Sequence, residues 1–221
     1  MADYAQARRI MVDSQLRTFD VNDIPLLDAM GAVQREAYVL PGRETLAYID
    51  QNLPVSEGTE PRHMLTPAVQ ARLIQALEVE PGMAVLDVAC GRGYSSAVLS
   101  EIGANVTALE SDESLAGAAE HALAAQNVAG VSVKAGALEA GWPEGAPYAA
   151  ILVNGALILR PDALLGQLSD GGRLACVQGE GRSAKATLYV RTGDAFGLRN
   201  LFDAAAPVLS AFRPKPAFIF E

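Results

Sequence analysis

Three sets of residues in this chain have the types and spacing to do chemistry. The first is the run Val85-Leu86-Asp87-Val88-Ala89-Cys90-Gly91-Arg92-Gly93-Tyr94. Gly91 and Gly93 permit a tight turn and let bare peptide approach a ligand. The free N–H groups of a helix starting at Tyr94 would point back at that ligand. The second is Glu110, 17 positions after Gly93 and at the end of the apolar run 105–109. A carboxylate there can accept both hydroxyls of a ribose. Asp112 and Glu113 are its competitors, but they also read as N-cap and first-turn residues of a helix over 113–125. The third is the polar stretch 52–65, with Thr59, Arg62 and His63, followed by Thr66. His63 could orient a carboxylate and Arg62 could pair with one. Each also has a plainer reading: Thr66 as a helix N-cap, His63 and Arg62 as solvated loop residues.

These groups need elements to hold them. Strand-like runs fall at 84–88, 105–109, 131–134, 148–153, 172–177 and 186–191. Helices are expected over 66–77, 94–102, 113–125 and 161–168. Thr66-Pro67 supplies an N-cap hydroxyl and a proline at the first helical position. Such alternation specifies an α/β fold with a doubly wound, mainly parallel sheet. A hairpin is expected at Thr192-Gly193-Asp194. Residues 1–65 read as a helical lead-in and covering loop, with helices over 5–17 and 23–30 and short pieces at 35–38 and 43–46. Residues 66–221 read as the core.

Composition narrows the class. With 221 residues the chain can build one large α/β core with a modest extension. Half of it is hydrophobic, yet no apolar run reaches the roughly 18 residues of a membrane span. The polar, amphipathic start gives the expectation of a cytoplasmic protein without a secretion signal. A net charge of −9 opposes a nucleic-acid surface. Cys90 and Cys176 lack metal-ligand spacing and read as buried, reduced thiols, so no metal is expected.

The glycine pattern bears on the ligand. A dinucleotide site wants a third glycine where this chain has Ser96. The run from Val85 to Tyr94 instead resembles the first motif of S-adenosylmethionine-dependent methyltransferases, with Asp87 at its acidic position and Ala89 where glycine is usual. The resemblance implies a Rossmann-like class I methyltransferase fold and S-adenosyl-L-methionine as cofactor. It implies contacts from Asp87, Ala89, Cys90, Gly91, Gly93 and Tyr94, with Glu110 and Ser111 at the ribose. Gly136 and Ala137 fall at the adenine side. Asn154, at a strand's carboxyl end, faces the ligand or makes a turn before Gly155.

The lead-in is more specific. Val33-Gln34-Arg35-Glu36-Ala37-Tyr38-Val39, then Ala47-Tyr48-Ile49-Asp50 and Leu53-Pro54-Val55, resemble segments of protein-L-isoaspartate O-methyltransferases. The likeness continues through Pro67 to Leu73, Tyr148 to Val153, Gly171-Gly172-Arg173-Leu174 and Val177-Gln178-Gly179. It implies methyl transfer to the α-carboxylate of L-isoaspartyl residues in peptides or proteins; with the charge and hydropathy above, the partners expected include neither nucleic acid nor membrane, and monomer and homodimer both stay open. The resulting ester closes to a succinimide that returns some aspartate. Two departures fall at the site. The family's loop carries a threonine and a serine where this chain has His63 and Leu65, leaving Thr66, His63 and Thr59 as the catalytic candidates. The family's Gly-Asp-Gly is Ala135-Gly136-Ala137 here. Three readings therefore stay open: isoaspartyl methylation, methylation of another acceptor, and a non-catalytic regulatory relative.

Overall fold

The computed structural model describes residues 3–214; the last seven residues of the predicted core lie outside them. Helix α1 (Tyr4–Met11) runs on as a π turn to Leu16 and a short 3-10 turn to Phe19, so the first predicted helix changes pitch rather than ending. Asp23 caps α2 (Ile24–Ala32) through the Leu26 N–H. Single 3-10 turns follow at Arg35–Tyr38 and Glu44–Leu46. The expected polar loop at 52–65 closes into a hairpin, β1 (Leu53–Pro54) against β2 (His63–Met64), with Leu53 opposite Met64. Thr66 then caps α3 (Pro67–Leu77).

The core alternates β3 (Ala84–Val88), α4 (Tyr94–Glu101), β4 (Asn105–Glu110), α5 (Glu113–Ala125), β5 (Val131–Ala135) and β6 (Tyr148–Leu157). One turn of helix, α6 (Asp162–Leu165), leads to β7 (Leu168–Gln178), β8 (Lys185–Thr192) and β9 (Ala195–Asp203). The helix expected over 161–168 is cut short because Leu168 already pairs with Tyr148 in the sheet. The seven strands lie in the order β5-β4-β3-β6-β7-β8-β9. Those from β5 to β7 are parallel, and β8 and β9 add antiparallel, joined by a turn between Thr192 and Ala195.

Both faces of the central strands β3 and β6 are buried, as a parallel sheet requires. Val85, Ala150 and Leu152 pack into one apolar cluster that the lead-in completes with Met11, Leu16, Leu26 and Leu65. Leu86, Val88, Ile151 and Val153 face the second cluster, with Leu164 and Leu165. Strand alternation therefore sends Asp87 and Asn154 to the lead-in face. The order of strand addition reverses at β3, with β4 and β5 on one side and β6 and β7 on the other, which makes the carboxyl end of β3 the topological switch point where open α/β sheets bind ligands. Among the described residues no helix is long and apolar enough to cross a membrane.

Candidate active site

The glycine turn sits at that switch point. Ala89, Gly91 and Gly93 all have positive φ, +58°, +60° and +93°. Ala89 adopts this with a β-carbon, at about 1 kcal/mol, which explains why glycine suits the position. Gly93 caps α4, so the first N–H groups of the helix face the turn. A β-carbon on Gly91 would lie 3.1 Å from Val55 Cγ2 and 3.5 Å from Arg62 Cγ. The β1–β2 hairpin thus rests directly on the turn.

Glu110 ends β4 with its carboxylate fully buried. Gly91 N–H donates to Oε2 at 3.2 Å and Ser111 N–H to Oε1 at 2.8 Å. The remaining valence is taken by Arg62, whose Nε donates to Oε2 at 3.0 Å and Nη2 to Oε1 at 2.7 Å. Two parallel donors on two carboxylate oxygens are the hydrogen-bonding pattern that a ribose diol would present. The arginine therefore stands where two hydroxyls would fit.

A buried polar chain runs beneath the turn. Arg35, fully buried, donates to the carbonyls of Ala47 at 2.8 Å and Leu65 at 2.6 Å, and to Gln70 Oε1 at 3.0 Å. Its guanidinium lies 4.7 Å from the centre of the Tyr94 ring. Gln70 Nε2 donates to Asn154 Oδ1 at 3.2 Å, and Asn154 Nδ2 donates to Asp87 Oδ1 at 2.6 Å. Ser95 and Ser96 hydroxyls donate to Asp87 Oδ2 at 2.7 and 2.5 Å. Ser96, where a dinucleotide site would have glycine, holds the motif's aspartate. Burial pushes the Asp87 carboxyl up to about 6, although the three donors oppose the shift.

Two spaces adjoin. A cleft of only about 10 Å³ lies between turn and hairpin, lined by Tyr38, Val55, His63, Gly91, Tyr94 and Asn154 among others. A cavity of about 210 Å³ opens beside it, lined by Glu60, Arg62, His63, Asn154, Arg213 and the chain from Pro207 to Ser210. His63 and Asn154 belong to both. The His63 Nδ1 is buried without a partner, and burial holds its pKa below the usual histidine range, so the ring is neutral at pH 7.

The predicted site residues thus fall in several places. Ala89, Cys90, Gly91 and Tyr94 line the cleft, and Gly93 turns behind them. Asp87 lies under them, and Asn154 braces it while facing both spaces. Ser111 sits beside Glu110 and accepts from Arg62 Nη2 at 3.2 Å. Gly136 donates its N–H to the Glu110 carbonyl at 2.9 Å and faces the Trp142 ring, while Ala137 is exposed. Of the three catalytic candidates, only His63 lines the cavities. Thr66 Oγ1 accepts the Val69 N–H at 3.4 Å, and Thr59 is exposed on the hairpin loop. Burial raises both thiols, Cys176 to about 12 and Cys90 well above its ordinary value, so neither is a thiolate at pH 7. Arg35 and Gln70 lie in the resembling segments, but their place in the site is not local, because their partners come from distant segments; Ser95 holds Asp87 from eight positions away, just past the glycine turn.

Leu65 belongs to the apolar core and is fully buried. Leu65→Ser removes packing and buries a hydroxyl, at about 2–4 kcal/mol. A thermal melt is expected to fall by about 5–10 °C; an unchanged melting point would place the side chain outside the core.

Most of the chain is similar to proteins of one family. Residues 8–202 match the family model described as Protein-L-isoaspartate(D-aspartate) O-methyltransferase. A Methylorubrum populi protein-L-isoaspartate O-methyltransferase is 44% identical over 174 residues, 79% of each chain. A Roseiflexus sp. protein of the same name is 37% identical over 202 residues, 91% of this chain and 90% of its own. Two solved structures share the fold. A protein-L-isoaspartate O-methyltransferase superposes with a TM-score of 0.82 at 22% identity, over 92% of this chain and 66% of that one. A Plasmodium falciparum protein so described, in complex with S-adenosyl-L-homocysteine, gives 0.76 at 18% identity, over 96% of this chain and 100% of its own.

Proposed function

The chain belongs to the protein-L-isoaspartate(D-aspartate) O-methyltransferase family, and we propose that its glycine turn and Glu110 hold S-adenosylmethionine while the adjoining cavity receives the α-carboxylate of an L-isoaspartyl residue. The reaction is methylation of that carboxylate in isoaspartyl-containing proteins. When bound, the cofactor supplies an activated methyl group on its sulfonium. The observation that carries the site assignment is the fully buried Glu110 carboxylate, oriented by the Gly91 and Ser111 N–H groups and occupied by a diol-like fork of donors.

The protein's own work is positioning. A carboxylate is already ionised and nucleophilic at neutral pH, so no general base is needed, and catalysis rests on bringing it in line with the methyl group. A neutral His63, facing both spaces, can donate one hydrogen bond to that carboxylate without becoming a competing acid. Thr59 and Thr66 lie outside the cavities and would reach the acceptor only if the hairpin were rebuilt. A monomer or homodimer acting in the cytoplasm, without nucleic acid or membrane, completes the reading; two free, buried cysteines and the charge of −9 support it.

The direct test offers labelled S-adenosylmethionine with an isoaspartyl peptide and its aspartyl twin. Label transferred selectively to the isoaspartyl peptide is expected. Label on neither, by folded protein that binds the cofactor, would move the search to another acceptor.

Two further results are expected. Glu110→Ala leaves two ribose hydrogen bonds unmade and weakens S-adenosylhomocysteine binding at least about tenfold by calorimetry. Affinity unchanged would remove Glu110 from the site. The second concerns pH. Asp87, with its carboxyl near pH 6, lies beneath a site for a ligand carrying an ammonium group. That positive charge favours the ionised carboxylate, so affinity rises with pH through about 6 and levels off roughly one unit above. At pH 5 binding is expected to be weaker than at pH 7 by up to about tenfold. Titrations at both values check the sign; a flat profile would put the cofactor's ammonium far from Asp87.

A further inference from the structure

The Arg62–Glu110 pair poses a problem that its own geometry solves. Glu110 is wholly buried and Arg62 is 16% exposed, so the fork is a largely desolvated ion pair, and it covers both carboxylate oxygens. The cleft under the hairpin is about 10 Å³, too small for any nucleoside. Ligand hydroxyls can reach Glu110 only by displacing the guanidinium. Displacement leaves Glu110 satisfied by the new donors, but it leaves Arg62 without an anion, and an unpaired charge of low exposure is costly.

The anion it can find lies next door. Arg62 itself lines the 210 Å³ cavity together with His63, Asn154 and Arg213. Its main chain is anchored, with the Arg62 N–H donating to Ser56 Oγ at 2.7 Å and its carbonyl accepting from the Val55 N–H at 2.8 Å. A swing of the side chain about that anchor carries the guanidinium from one space to the other. The remaining charges on the cavity do not attract a carboxylate strongly: Glu180 holds Arg213 at 2.7 Å, and Glu60 adds a negative charge.

We propose that Arg62 is a two-position residue that covers Glu110 in the cofactor-free protein and, once displaced by the ribose hydroxyls, turns into the adjoining cavity to hold the acceptor's carboxylate. The inference rests on the cofactor and acceptor reading given above. It makes binding ordered: the cofactor releases the cation that the acceptor needs, and the acceptor in turn keeps the cation off Glu110. Coupling of this kind is reciprocal.

Calorimetry on the full chain tests it, with S-adenosylhomocysteine and an isoaspartyl peptide as probes. In the unaltered protein the peptide is expected to bind about fivefold or more tightly when S-adenosylhomocysteine is present. Arg62→Met removes the competitor, so S-adenosylhomocysteine should bind about fivefold or more tightly to it, while the peptide's KM rises about tenfold or more with a smaller change in kcat. A merely structural role for Arg62 would not tighten cofactor binding. Equal peptide affinity with and without S-adenosylhomocysteine overturns the proposal without needing the variant to fold. So does an Arg62→Met protein whose S-adenosylhomocysteine affinity is unchanged or weaker, or whose peptide KM is unchanged. Failure of the unaltered protein to bind S-adenosylhomocysteine at all overturns the cofactor reading, and the two-position residue with it.

Discussion

Gly91→Val is expected to abolish S-adenosylhomocysteine binding, a loss of more than about a hundredfold in affinity, or about 3 kcal/mol. Two effects add. The residue holds φ at +60°, which a β-branched side chain adopts only at a cost of about 1–2 kcal/mol or more. Its new β-carbon would sit 3.1 Å from Val55 Cγ2 and 3.5 Å from Arg62 Cγ, and the added methyl groups would fill the space the ligand must enter. The hairpin would be pushed off the turn or the turn would be rebuilt. Circular dichroism should show a folded chain while calorimetry shows no binding heat. A folded variant that binds normally would mean that the ligand does not touch this turn. Gly91→Ala should fall between, since one carbon meets the same contacts without the branch.

Arg35→Met is expected to have the largest effect on stability. The guanidinium is fully buried and gives hydrogen bonds to Ala47 O, Leu65 O and Gln70 Oε1. Methionine replaces the aliphatic stem but strands all three acceptors, a loss of about 3–5 kcal/mol. The melting temperature should fall by about 10 °C or more. The same change reaches the proposed ligand site: Gln70 loses the donor that fixes it, and Asn154 and Asp87 follow in the chain. Weaker S-adenosylhomocysteine binding is therefore expected alongside the lower melting point. An unchanged melting temperature would contradict the buried network.

The contrast between Glu110 and Arg35 shows what a sequence can carry. The glycine turn, the strand before it and the carboxylate 17 positions on are local, because each is fixed by its neighbours in the chain. The same is true of β3, α4, β4 and α5, whose periodicity and caps set them within a residue or so. The hairpin at 52–65 was less visible: two-residue strands have no periodicity, and their pairing depends on what lies beneath them. Arg62 shows the same limit at the site. Its capacity to pair with a carboxylate follows from its type, but that the carboxylate is Glu110, 48 positions away, follows only from the hairpin lying over β4. Leu65, set on a serine by alignment alone, turned out to face the core.

The most direct measurement is a crystal structure of the protein with S-adenosylhomocysteine bound. The account predicts the ribose hydroxyls on the Glu110 carboxylate, the Gly91 turn against the amino-acid end, and the Arg62 guanidinium withdrawn into the cavity beside His63. A ligand bound elsewhere, with Arg62 still forked on Glu110, would contradict it.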